Sequence, residues 1–328
     1  MRPVWTPDDG ITYSLLSRFI VCRQRFWIRA VLGLVPKPEW NHRIEYGSMF
    51  HAGLEAISAG TSVENAVGEY ANSLLNQFPQ FSDDIHLWST ICKGQLEVYS
   101  SWWKDDPKSY LLHEEVFDVP VGLPSGRSIR LRGKVDSVFS RQKSVYLQEN
   151  KIKGDIDLDG IMQQMAGDLQ TMMYITALDL MKTHGKVRRV LYNVIQRPLG
   201  GKYPLRKRKA ETPGAFAKRV VQNIRDSPES YFHRIEVEVT DKDVLTFRQR
   251  CLYPLLEGVL DWWESIKDDP TNPWVSNGKS NKHHWIRPFG VYDSLGLGFR
   301  GDYYDFIVHG SMNGLQKTTD VFPELKQE

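Results

Sequence analysis

The segment RLRGKVDSVFSRQKSVYLQENKIKG places Asp136 thirteen residues ahead of Glu149, with Lys151 two residues further on. Apolar and polar residues alternate on both sides of the Arg141–Ser144 turn, which predicts a hairpin. Residues i and i+2 of a strand share a face, so Glu149 and Lys151 project together, and a hairpin register can bring Asp136 alongside. Two carboxylates at one spot repel unless a positive charge lies between them. A hard divalent cation such as Mg2+ suits that position. A lysine beside it can hold or help deprotonate an attacking water, or stabilise the added charge of a phosphorane-like transition state. The same three residues also fit a solvent-exposed ion-pair ladder across a hairpin.

Two further features bear on the choice. DLQTMMYITAL carries Gln170 and Tyr174 at i and i+4, on one face of a helix, where Gln170 faces either the site or the helix boundary. Upstream, GSMFHAGLE holds His51 four residues before Glu55. A helical histidine is either a packing residue or, as a neutral imidazole, a metal ligand.

The elements that must position these residues follow from periodicity. Helices are expected within 11–34, over Tyr46–Gly60 with Ser48 as N-cap, and over 62–79 and 84–104. Strands are expected over His113–Pro120, Ser128–Phe139 and Ser144–Ile152. A long helix from Gly160 to Lys182, a strand Val187–Gln196, a helix Pro213–Arg225, a strand Tyr231–Val239 and a helix Asp241–Ser265 kinked at Pro254 complete the pattern. This order predicts an α/β fold with a helical N-terminal wrap. The parts are 1–110, helical; 111–240, the core with the hairpin and a basic loop; and 241–328, a helix and irregular tail. They are read as one continuous domain.

Taken in order, G-S-x-x-H, the acidic pair Glu114–Glu115, G-x-x-D, E-x-K and Q-x-x-x-Y resemble the PD-(D/E)XK nuclease superfamily, specifically its RecB-like branch. That branch includes helicase-associated nuclease domains, CRISPR-adaptation nucleases and phage exonucleases. The likeness runs from Ser14 to Leu178, and Glu211–Arg234 resembles the downstream region of phage members. It implies a restriction-endonuclease-like core, with a mixed central sheet flanked by helices. It implies that His51, Asp136, Glu149 and the backbone carbonyl of Asn150 bind Mg2+ or Mn2+. The histidine makes Mn2+ an alternative to Mg2+. Lys151 would be the catalytic lysine, with Gln170 and Tyr174 against it and the DNA. The implied reaction is phosphodiester hydrolysis leaving a 5′-phosphate, by an exonuclease of phage-type DNA processing or recombination. The alternative is a catalytically silent DNA-binding partner of a helicase or recombinase. A separate helicase, recombinase or single-strand-binding protein is the expected partner besides DNA.

Some relatives hold an iron–sulfur cluster on one early and three late cysteines. Cys22 resembles the early position, but 272–310 contains no cysteine, so no cluster is expected. The three cysteines (Cys22, Cys92, Cys251) form no CxxC pair, which excludes a disulfide framework and a four-cysteine metal site. The net charge of +2 is nearly balanced, yet Lys182–Lys209 holds ten Lys or Arg and no Asp or Glu. Lys202, Arg206, Lys207, Arg208 and Lys209 are candidate DNA contacts, or else a solvated loop. With 41% apolar and 25% charged residues, the 328-residue chain has a globular balance. No apolar run approaches the roughly eighteen residues of a membrane span, and MRPVWTPDDG has no signal-like apolar region, so a cytoplasmic setting is expected. Gly278-Lys279-Ser280 lacks the upstream glycine of a P-loop, and Gly296–Gly301 fits G-x-G-x-x-G with no room for a βαβ unit after it. His283–His284 are adjacent, a poor chelating arrangement.

Overall fold

The computed structural model describes residues 2–165, 167–183, 185–200, 205–271 and 302–325. Two short helices, α1 (Tyr13–Val21) and α2 (Arg23–Phe26), open the chain and run into a π-helical turn, Trp27–Val31. The break between them falls at Cys22. Its backbone is extended, and its buried thiol accepts the Arg25 N–H at 3.4 Å, capping α2. A short strand, β1 (Leu34–Pro36), precedes three helices, α3 (His42–Ala59), α4 (Val63–Gln77) and α5 (Ser82–Trp102). The N-cap of α3 is Asn41, whose side chain accepts from Arg43 N at 3.0 Å. The helix therefore starts a full turn before the expected Tyr46, and Ser48 lies inside it rather than capping it.

Three long strands follow: β2 (Ser109–Gly122), β3 (Ser128–Arg141) and β4 (Ser144–Lys153). The β3–β4 turn is made by Gln142 and Lys143, both with positive φ (50° and 65°). This is the sign pattern that a two-residue hairpin needs to match strand twist. Next come α6 (Leu158–Met165), α7 (Leu169–Met181), β5 (Arg189–Gln196), α8 (Pro213–Asp226) and β6 (Phe232–Glu238). The expected single helix from Gly160 to Lys182 is divided because Asp168 caps a new start, accepting from Thr171 N at 2.9 Å. The helix expected over Asp241–Ser265 is also divided, into α9 (Asp241–Phe247) and α10 (Tyr253–Ile266), through a π-helical stretch, Arg248–Leu252. That wide turn accommodates Pro254, which sits in the first turn of α10 and has no N–H to offer. Helix α11 (Tyr304–His309), β7 (Leu315–Lys317) and a 3-10 turn, Pro323–Leu325, end the described chain.

Five strands form one sheet in the order β2-β3-β4-β5-β6. Only β4 and β5 run parallel, the other neighbours being antiparallel, so the sheet is mixed. Helices cover both faces, giving the expected α/β fold with a mixed central sheet. On one face, α1, α2, α7 and α10 pack with Leu131, Val135, Leu147, Val190 and Val194. On the other, α3, α4, α5 and α8 form a second apolar cluster with Ile195 and Phe232. β4 is central: Leu147 faces the α7 side, and its odd-numbered successors Glu149 and Lys151 continue on that face. The segment 302–325 returns to the start of the chain. β7 pairs with β1, Leu315 and Val321 are buried, and the Tyr303 hydroxyl donates to Leu34 O at 3.0 Å. Among the described residues no helix is long and apolar enough to cross a membrane. Lys202 and the motifs at 278–280, 283–284 and 296–301 lie outside the described residues.

Gly133 has a packing role beneath the future site. A Cβ there would lie 2.4 Å from Phe117 Cζ and 3.2 Å from Tyr174 Cε1. Gly133→Ala should overpack this crossing and lower unfolding free energy by about 1–3 kcal/mol in urea titration. An unchanged midpoint would show that the Phe117 and Tyr174 rings can move aside.

Candidate active site

The last β3–β4 pair is Ser137↔Gln148, so the next position on each strand puts Asp136 opposite Glu149. Here the side chain replaces the ladder: Asp136 Oδ2 accepts the Asn150 N–H at 2.7 Å. On the other side of β3, the pairs His113↔Ser137 and Glu115↔Val135 place Glu114 across from Asp136. Glu114 has φ +46°, a left-handed conformation that a residue with a side chain seldom adopts. Three neighbouring strands thus each bring one carboxylate to the same level of the sheet.

A chain of polar contacts runs from Glu149 to α7. Lys151 Nζ lies 2.6 Å from Glu149 Oε1 and donates to Gln170 Oε1 at 2.8 Å. Gln170 Nε2 donates to the Tyr174 hydroxyl at 3.1 Å. The Asp168 cap fixes where α7 begins, which puts Gln170 in its first turn and Tyr174 one turn later on the same side. Of the two readings for Gln170, the structure selects the one facing the lysine.

A cavity of about 430 Å³ opens at this place, lined by His51 and Glu55 of α3, Glu114, Lys134, Asp136, Gln170 and Tyr174, among others. Glu149 is only 3% exposed and lies outside that lining, as does Lys151. Burial raises the Asp136 carboxyl to about 6, with the Glu114 charge adding to the effect and the Asn150 N–H opposing it. Burial also raises Glu149, to about 7, with the Asp136 charge adding and Lys151 opposing. Burial pulls Lys151 down, but the charge and hydrogen bond of Glu149 together with the Asp168 and Asp136 charges outweigh it, so its ammonium is held above the ordinary lysine value. Burial lowers His51 against the pull of Glu149 and Glu114, which favours the neutral imidazole.

Among the described residues no three His, Cys, Asp or Glu side chains already converge at metal-ligand spacing. Glu149 is turned to Lys151, and Asp136 to the Asn150 N–H. The donor set nevertheless fits a divalent cation. Glu149 Oε2 is buried and accepts no hydrogen bond, the Asp136 charge raises the proton affinity of Glu149 as Glu114 raises that of Asp136, and His51 offers a neutral nitrogen. Asn150 is pinned from behind: its Oδ1 accepts from Gln148 Nε2 at 3.0 Å and from Asn193 Nδ2 at 2.8 Å.

The hairpin residues Asp136, Glu149, Asn150 and Lys151 are therefore brought together with Gln170 and Tyr174, and His51 shares the cavity. Arg206, Lys207, Arg208 and Lys209 are exposed and do not line it. Their loop is tied to α8 instead: Arg219 pairs with Glu211 at 2.7 Å and donates to Arg206 O at 2.9 Å. Lys134, Tyr13, Ser14 and Glu324 also line the cavity and were not read from the sequence. Lys134, ion-paired with Glu114, could have been found from its place in G-K-V-D. Glu324 carries no local signal.

A pH test follows from Glu149. Its folded value lies above its unfolded one, so the neutral form favours the fold. That contribution is fully present below the unfolded value and is lost as pH rises through about 7. In EDTA, wild type should therefore lose melting temperature relative to Glu149→Gln as pH rises from about 5 to about 8, and Mn2+ should restore it in wild type alone. Parallel melting curves across that range would mean that the carboxyl is not held protonated.

The profile of the PD-(D/E)XK nuclease superfamily matches residues 11–254, which takes in every element from α1 to the start of α10. No curated protein matches the chain. Among solved structures it is similar to one titled "Crystal structure of SSO0001", at 10% identity, with 62% of this chain and 74% of that chain covered and a TM-score of 0.27. With a family match over most of the chain, and with Asp136, Glu149, Lys151 and Gln170 assembled in one site, this chain belongs to the PD-(D/E)XK nuclease superfamily.

Proposed function

We propose that the protein is a divalent-metal-dependent deoxyribonuclease that hydrolyses phosphodiester bonds and works as an exonuclease. The observation that carries this reading is the Lys151 ammonium, bridged between Glu149 and Gln170 beside the buried Asp136–Glu149 carboxyl pair. A binding-only protein gains nothing from burying two mutually repelling carboxyls, which cost stability unless an ion is to occupy the site.

Asp136, Glu149, His51 and the Asn150 carbonyl would hold Mg2+ or Mn2+. The ion would supply Lewis-acid charge for the attacked phosphate and lower the pKa of a water. Lys151 keeps its proton, so it acts as a fixed positive charge and hydrogen-bond donor. Gln170 sets the direction of that ammonium, and Tyr174 sets Gln170. In the hydrolysis, a water oxygen bonds to phosphorus, the P–O3′ bond breaks, and the leaving 3′ oxygen takes a proton. The products carry a 5′-phosphate and a 3′-hydroxyl. Arg206–Lys209, exposed beside α8, is the proposed contact for the DNA backbone beyond the site. The likeness of Glu211–Arg234 to phage members supports a role in phage-type DNA processing or recombination.

Lys151→Ala and Glu149→Ala should each lower cleavage of labelled linear DNA by about 10³-fold or more while the fold persists. Undiminished Mg2+-dependent cleavage in both purified variants would overturn the assignment. Replacing Arg206, Lys207, Arg208 and Lys209 together by Ala should weaken DNA binding and flatten its salt dependence. Unchanged affinity across a salt series would return that loop to a solvated surface.

A further inference from the structure

Glu324 comes from the far end of the chain, yet it lines the same cavity as His51, Asp136 and Gln170. Its carboxylate Oε1 accepts from the Thr12 hydroxyl at 2.6 Å. Thr12 is 1% exposed and caps α1, its Oγ1 accepting the Leu15 N–H at 3.3 Å. The turn that presents Glu324, Pro323–Leu325, is anchored by the two residues just ahead of it. Val321 is buried in the core, and the Phe322 ring lies 4.6 Å from the Arg132 guanidinium of β3. The carboxylate is thus a built part of the cavity wall, placed by packing from three elements.

Its charge is out of keeping with a polyanionic substrate. Successive phosphates of one strand lie only several ångströms apart, so a chain continuing past the reacting phosphate toward this wall would bring a phosphate against Glu324. The residue is half-buried and its hydrogen-bond partner is a neutral hydroxyl; the Arg18 guanidinium of α1, which itself donates to Ser14 O, acts on the carboxylate from beyond that contact and offsets part of its charge. The positive groups of the site, Lys151 and Lys134, are already engaged by Glu149 and Glu114. A strand that stops at the wall places no phosphate there.

We infer that Glu324 is a specificity-determining residue. It closes one side of the catalytic cavity to a continuing sugar–phosphate chain, so that cleavage is confined to strand termini. This inference rests on the nuclease reading above and adds the structural reason for exonucleolytic action.

The test compares wild type, Glu324→Gln and Glu149→Ala on linear and covalently closed forms of the same single-stranded and duplex DNA, in Mg2+ and in Mn2+. Gln keeps an acceptor for Thr12 and the same shape, and a melting curve confirms folding. Wild type should cut linear DNA and spare the circles. Glu324→Gln should raise the closed-to-linear cleavage ratio at least about tenfold, and high salt should narrow the gap between the two proteins. The same ratio in Glu324→Gln as in wild type, or a wild type that cuts circles as readily as linear DNA, overturns the inference. Glu149→Ala keeps the two readings apart. Cleavage that survives it removes the catalytic site from this place, whereas cleavage that depends on Glu149 with a ratio insensitive to Glu324 removes only the terminal wall.

Discussion

The structure turns on one electrostatic constraint: two carboxyls buried side by side in the middle of a sheet. Where β3 and β4 would form their next ladder pair, Asp136 and Glu149 meet instead, and the Asp136 carboxylate takes the Asn150 N–H that a backbone carbonyl would have accepted. Desolvation, with the Glu114 charge acting on Asp136 and the Asp136 charge on Glu149, pushes both toward the protonated form. One ammonium, Lys151, offsets part of that cost for Glu149 Oε1 and leaves Oε2 without a donor. The rest of the site reads as a response to this imbalance. Gln170 fixes the ammonium, Tyr174 fixes Gln170, and Gly133 leaves room for the Tyr174 and Phe117 rings to cross beneath.

The opposite face of β4 explains why the strand does not shift to relieve the repulsion. Gln148 and Asn150 point away from the cavity, into a buried polar network. Asn193 joins Asn150 to the Tyr99 hydroxyl at 2.9 Å, and Arg234 reaches both that hydroxyl and Asp106. Lys108 donates to Gln148 Oε1 at 2.8 Å, and burial lowers its own ammonium to about 8. A network satisfied at this many points holds β4 in register, since each slipped position would leave buried groups unpaired. A slip of one residue would also send Glu149 and Lys151 to the wrong face.

Local order was legible in the sequence wherever one element carried the whole signal. The alternation in Ser128–Phe139 and Ser144–Ile152 marked β3 and β4, and the i, i+4 spacing marked Gln170 and Tyr174. Element ends were less legible, because caps compete with periodicity. Asn41 starts α3 ahead of Ser48, Asp168 divides one apolar stretch into α6 and α7, and Cys22 interrupts the first helix with its own thiol cap. Each is a side chain offering the backbone a closer partner than the next helical turn would.

The amino-acid order alone determined which residues share a strand face or a helix face, since the periods of two and 3.6 belong to the backbone. It also fixed the supply of carboxylates and one lysine within a short hairpin, and that hairpin made the chemistry readable. The folded chain alone decided that Glu114, Asp136 and Glu149 stand level across three strands, that His51 reaches them from α3, and that Glu324 closes the wall beside Thr12. Those contacts join residues far apart along the chain. They depend on how buried faces pack and on which strands become neighbours, and no local repeat encodes either.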